Sequence, residues 1–119
     1  MEQLTIEMPV YSFSINNLDY TNIPFSEIAN LLGEVEAVNI VRSSLSLKLK
    51  NLSRSELGQY DWMYVREYRM AATATPMPVP EHIATHYEAV RQWVDQQELL
   101  LASMTIEQLE AHEFIVPSL

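Results

Sequence analysis

The chain contains no cysteine in its 119 residues, which excludes disulfide staples, thiol nucleophiles, thiolate zinc sites and iron–sulfur ligation. Only two glycines occur, Gly33 and Gly58, and they stand apart, so no glycine-rich loop can cradle a phosphate. None of the serines lies in a Gly-x-Ser-x-Gly turn, and three histidines offer few candidate bases. Long hydrophobic runs are missing too. The uncharged stretch from Met70 to Pro80 is broken by three prolines, and no segment approaches the roughly 20 apolar residues that span a bilayer. Basic residues are scarce: seven against sixteen acidic ones, for a formal net charge of −9. That balance repels a phosphate backbone, so direct nucleic-acid binding is not expected.

What is present describes an ordered protein. Apolar residues make up 48% and charged residues 19%, well away from the composition of disordered chains. The length suits one domain over 1–119, with a strand-rich part over 1–52 and a helical part over 53–119. The start, Met1 to Thr5, lacks the basic and apolar regions of a secretory leader, and synthesis in the cytoplasm is expected. The acidic charge serves solubility, or else forms a surface that meets a basic partner or imitates DNA.

Apolar positions alternate at the start: Leu4, Ile6 and Met8, then Tyr11, Phe13 and Ile15, with Pro9 interrupting and Asn16-Asn17 supplying a turn. Period-two alternation places the apolar set on one face of a strand. Pro24 to Gly33 predicts a short helix with Phe25, Ile28, Leu31 and Leu32 as its apolar positions. Val35–Val41 and Leu45–Leu49, joined by Arg42-Ser43-Ser44, read as a hairpin. Ser53-Arg54-Ser55-Glu56 has the form of a capping box, with Leu52 and Leu57 at staple positions. It predicts a helix to about Met70 that packs Leu57, Tyr60, Tyr64, Val65 and Tyr68 against the sheet. Residues 73–80 form a stiff proline-rich connector, or a ligand for a partner groove. A further helix starts at Glu81, with Ile83, Tyr87, Val90, Val94 and Leu101 as its seam, and a last short one follows the capping box Thr105–Gln108. The fold expected is α+β: a small N-terminal antiparallel sheet with C-terminal helices packed on one face.

Candidate chemistry is sparse, and no enzyme is expected. His82 and His86 are four apart and share a helix face, so both could reach one ion, but Ile83 stands where the zinc-protease helix has glutamate. The acidic pairs Glu34/Glu36 and Glu107/Glu110 lack any sign of a pocket that would raise one pKa. No cofactor or metal is expected.

Asp61-Trp62-Met63-Tyr64-Val65-Arg66, then Pro76-Met77-Pro78-Val79-Pro80, then Tyr87-Glu88-Ala89-Val90-Arg91 resemble in order and spacing the C-terminal part of bacteriophage tail-fibre assembly proteins, the tail-fibre chaperones. The likeness covers residues 53–94. The chain departs from that pattern by continuing through Gln96–Met104 into another helix. The resemblance implies a non-enzymatic, tail-associated protein that binds a tail-fibre or baseplate protein and assists fibre folding, assembly or attachment. It would work in the host cytoplasm during assembly, or stay in the virion tail. The alternative from another class is an acidic phage-encoded inhibitor that mimics DNA toward a host nucleic-acid enzyme. Five residues are the partner-binding candidates. Trp62 is placed first in the core, beside an apolar helix face, with an interface as its second use. Arg66 and Arg69 pair with acids of a partner or with neighbouring carboxylates. Trp93 lies off the helix seam, and Phe114 belongs to an apolar tail that either tucks against the core or serves as a hook.

Overall fold

Two asparagines set the start of the fold. In a computed structural model that describes residues 8–119, Asn16 and Asn17 both have positive φ, 53° and 66°. This left-handed backbone closes a two-residue hairpin, and asparagine tolerates it better than most residues. The hairpin joins β1 (Val10–Ile15) to β2 (Leu18–Pro24), antiparallel, with Ile15 opposite Leu18. Its register shifts between Tyr11 and Phe13, where Asn22 has φ 53° and its amide donates to Ser12 Oγ at 3.4 Å. The extra residue of this bulge lets Tyr20 and Ile23, three apart in sequence, face the same side. Tyr20 stacks on Phe13 there, with ring centroids 5.0 Å apart. The expected strand positions Leu4 and Ile6 lie outside the described residues.

Helices occupy the rest of the chain: α1 (Phe25–Leu32), α2 (Glu34–Gly58), α3 (Asp61–Met70), α4 (Glu81–Ser103) and α5 (Ile106–Ala111). The architecture is therefore a small α+β fold, with β1 lying on α2 and β2 on α1. Gly33, at φ 90°, turns the chain between α1 and α2 while its amide donates to Ala29 O at 2.9 Å.

The hairpin expected over Val35–Leu49 is instead the first half of α2, and the strands end at Pro24 rather than near residue 52. Ala37, Val41, Leu45 and Leu49 recur every four residues and face inward, while Leu47 is exposed. That helical repeat outweighs the leucine–serine alternation, since leucine favours helix and the Arg42-Ser43-Ser44 segment lacks the glycine, asparagine or aspartate that a tight hairpin turn favours. The capping-box sequence Ser53–Glu56 likewise lies inside α2. Ser53 Oγ donates back to Lys50 O at 2.9 Å, and Glu56 reaches another helix. The break expected there comes later, at Gln59–Tyr60.

α4 starts at Glu81 as expected, directly after Pro80, and buries Ile83, His86, Val90 and Leu101. It runs antiparallel to α2: His86 meets Glu56 at 2.8 Å, and Arg42 Nε donates to Leu101 O at 2.9 Å. The Arg42 guanidinium thus satisfies a carbonyl at the negative end of the α4 dipole. The Thr105 box forms. Its hydroxyl accepts from Gln108 N at 3.3 Å, and Gln108 Oε1 accepts from Thr105 N at 3.0 Å. Tyr11, Ile28, Ala37, Val41, Leu101 and Leu109 make the main core, where the hairpin, α1 and α5 close over one end of the α2–α4 pair. At the other end lie α3 and the connector.

Candidate docking surface

α3 has no buried residue. Its inward side is set by two aromatic contacts: Tyr60, just before it, meets the His86 ring edge-on at 5.6 Å, and Tyr64 tilts against Tyr87 at 4.9 Å. One turn on, Glu67 Oε2 accepts from the Val79 amide at 3.0 Å, which folds the connector back onto the helix. With 60, 64 and 67 turned inward, helical geometry turns 62, 65, 66 and 69 outward. Trp62 is 55% exposed, which corrects its expected place in the core, and Tyr68, expected to pack on the sheet, is 86% exposed.

Trp62, Val65, Arg66, Arg69 and Met70 line a shallow groove of about 410 Å³. The Arg66 guanidinium lies over the Trp62 ring, 4.9 Å from its centroid, a cation–π arrangement. Arg66 Nε is buried without a hydrogen-bond partner. Neither Arg66 nor Arg69 has an ion-pair partner among the described residues, where the one pair is His86 with Glu56.

Trp93 and Phe114 form a second place. Trp93 is half-buried, not solvent-facing, because the Phe114 ring covers it edge-on at 6.2 Å. His112 meets Phe114 at 4.9 Å and shares a 2.7 Å hydrogen bond with Gln97. The tail is therefore latched on α4 by Phe114, and it leaves Ile115 exposed. The five candidate residues divide into an outward groove on α3 and this inward-facing latch.

The residues weighed for chemistry are dispersed. His82 is exposed and His86 is 5% exposed, tied to Glu56, so the two do not converge. The described residues contain no group of three or more side chains able to hold a metal ion. Glu34, Glu36 and Glu107 are exposed, while Glu110 accepts a hydrogen bond from Tyr11 at 2.8 Å. Burial first, then that bond and the carboxylate's charge, raise the Tyr11 phenol well above its ordinary value.

A signal that sequence reasoning overlooked lies in where the charges fall. Six of the seven basic residues (Arg42, Lys48, Lys50, Arg54, Arg66 and Arg69) lie between 42 and 69 with only three acids, whereas the remaining chain has one arginine and thirteen acids. The groove, with Arg66 and Arg69, thus falls within the basic stretch of an otherwise acidic sequence. A second apolar trough, of about 400 Å³, runs between β1 and α2 and is lined in part by Phe13, Ile15, Ile40 and Leu47.

Comparison with protein-family models, curated proteins and solved structures returns no match. The class defined is that of a small α+β protein, in which no described helix is long and apolar enough to cross a membrane.

Proposed function

We propose that this protein is a non-enzymatic docking subunit that binds a tail-fibre or baseplate protein of a tailed phage and assists fibre folding, assembly or attachment. The observation that carries the docking part is the excess of apolar surface. Among the described residues nine apolar ones are buried, while fourteen large ones, from Met8 to Leu119, stay exposed. The chain presents 8873 Å² to solvent, against roughly 6,600 Å² for a monomer of 13.7 kDa by size scaling. Its radius of gyration is 19.8 Å, where a compact chain of this length has about 13.5 Å. Surface of this amount and character belongs to proteins that complete their burial on a partner.

The tail-fibre part rests on the likeness over residues 53–94. That segment folds as the end of α2, then α3, the connector and the first part of α4, and it carries the exposed Trp62. The protein works in the host cytoplasm while fibres form, or remains on the finished tail. Its action is shielding and positioning: rigid helices present apolar side chains to a fibre segment, and the acidic exterior keeps the complex dispersed.

Co-expression with candidate tail-fibre C-terminal segments, followed by size-exclusion chromatography with light scattering, tests this reading. Co-elution at a fixed ratio that is lost on Trp62→Ala is the expected result. Free protein beside insoluble or unaffected fibre overturns it, and gives first place to an acidic inhibitor of a nucleic-acid enzyme.

A further inference from the structure

We infer that the α3 groove receives an acidic protein segment: two carboxylates about one helical turn apart, beside one large apolar side chain. This inference rests on the docking reading and names the chemistry of the partner. Arg66 and Arg69 are three apart on α3, so their side chains are neighbours on the helix surface. Neither has a carboxylate partner within the described residues. The Arg66 guanidinium lies over the Trp62 ring and its Nε is already enclosed, which leaves its terminal nitrogens as the fork for a carboxylate. Arg69 offers the second cation one turn on.

Between and beneath the two arginines, Trp62, Val65 and Met70 supply an apolar floor. A groove of about 410 Å³ is near the small end of ligand sites. It holds one large side chain and its neighbours, which is the geometry of an anchor residue. Met70 adds a flexible thioether that adjusts to the shape of the anchor.

Charge selects the occupant. In a chain of formal net charge −9, Arg66 and Arg69 stand together on the groove without an ion-pair partner among the described residues, so an acidic segment is attracted here. A nucleic acid fits poorly. Two groove arginines neutralise few phosphates, and the acidic flanks oppose a long polyanion.

Selection from a random twelve-residue peptide display library on the full-length chain tests the inference. Binding of the enriched peptides is then measured at low and high salt. Enrichment of peptides that pair acids with a large apolar residue is the expected result. Binding should fall at least about tenfold in the double variant Arg66→Ala/Arg69→Ala, a loss worth about 1.4 kcal/mol. It should weaken with salt and shift Trp62 emission in a Trp93→Phe background. Arg69→Ala alone, at an exposed position, serves if the double variant misfolds, with about a threefold loss expected.

Absence of enrichment, peptides without an acidic bias, or binding indifferent to these arginines overturns the inference. So does a concentration-dependent dimer that the double variant abolishes, because it gives the groove to a second copy. Co-elution with fibre segments that persists alongside any of these results removes the acidic chemistry and leaves the docking reading. Acidic selection without co-elution does the reverse.

Discussion

The two ends of the α2–α4 pair are built differently. At the hairpin end, β1, α1 and α5 close over Tyr11, Ile28, Ala37, Val41, Leu101 and Leu109, and polar groups find partners: Tyr11 on Glu110, Arg42 on Leu101 O, and Thr105 with Gln108. At the α3 end the helix buries nothing, two arginines lack ion-pair partners among the described residues, and Trp62 and Tyr68 face solvent. The first end holds the fold and the second leaves surface to spare. Stability and binding should therefore respond to substitutions at opposite ends of one molecule.

The largest expected effect lies in the core. Leu101 is 2% exposed and joins α4 to the hairpin-end cluster. Leu101→Ala should lower unfolding free energy by about 2–5 kcal/mol, from lost burial and the cavity left behind. Urea denaturation followed by circular dichroism measures it. A cost below about 1 kcal/mol would mean that this end is not the structural one.

Next comes the pair that joins α2 to α4 beside α3. His86 Nε2 and Glu56 Oε1 are 2.8 Å apart, with side chains 4% and 22% exposed. Glu56→Ala strands a buried imidazole and should cost about 1–3 kcal/mol. Replacing both residues by leucine should recover most of that loss, because an unpartnered buried polar group costs more than an apolar pair. A double variant no more stable than Glu56→Ala would show that the contact has a role beyond satisfying His86.

β1 with its turn, α1, α4 and α5 were legible because each combines a period with a marker: Asn16-Asn17, Gly33, Pro80 and the Thr105 box; β2 (Leu18–Pro24) was not read as a strand. α2 was not, because Leu45, Leu47 and Leu49 satisfy a strand period locally. The repeat 37, 41, 45, 49 emerges only when the segment is read as one helix. The Ser53–Glu56 box misled for a related reason: a cap sequence acts only where a helix begins, and this one was already under way. Aromatic spacing on α3 showed that a stripe exists but not which stripe faces in. That choice is made by Tyr87 and His86 on α4, a tertiary contact. By contrast, the basic band over 42–69 needed no structure at all, only a count taken by segment instead of over the whole chain.

Tyr11 gives the comparison a pH axis. Tyr11→Phe removes the bond to Glu110 and should cost about 1–2 kcal/mol at neutral pH. In the folded chain the phenol is held above its ordinary value of 10.0, so the folded state keeps a proton that the unfolded state loses. Its contribution is complete below pH 10 and declines as pH rises further. Stability of the native chain should therefore fall more steeply above pH 10 than that of Tyr11→Phe, as read by denaturation at successive alkaline pH values. Parallel curves would mean that this hydrogen bond is not held in solution.

The smallest expected effect on stability is the one that separates the two ends most sharply. Trp62 stands on the outward side of α3, where it meets Arg66 but no core residue. Trp62→Ala removes a cation–π contact worth about 0.5–1 kcal/mol at an exposed site, and it also removes exposed apolar surface and introduces a better helix former. These changes oppose one another, so the unfolding free energy should stay within about 0.5 kcal/mol of the parent. A matching denaturation midpoint, together with lost binding to a fibre segment, would assign Trp62 to recognition alone. A loss comparable to that of Leu101→Ala would instead place α3 within the cooperative core, and the division between the two ends would fail.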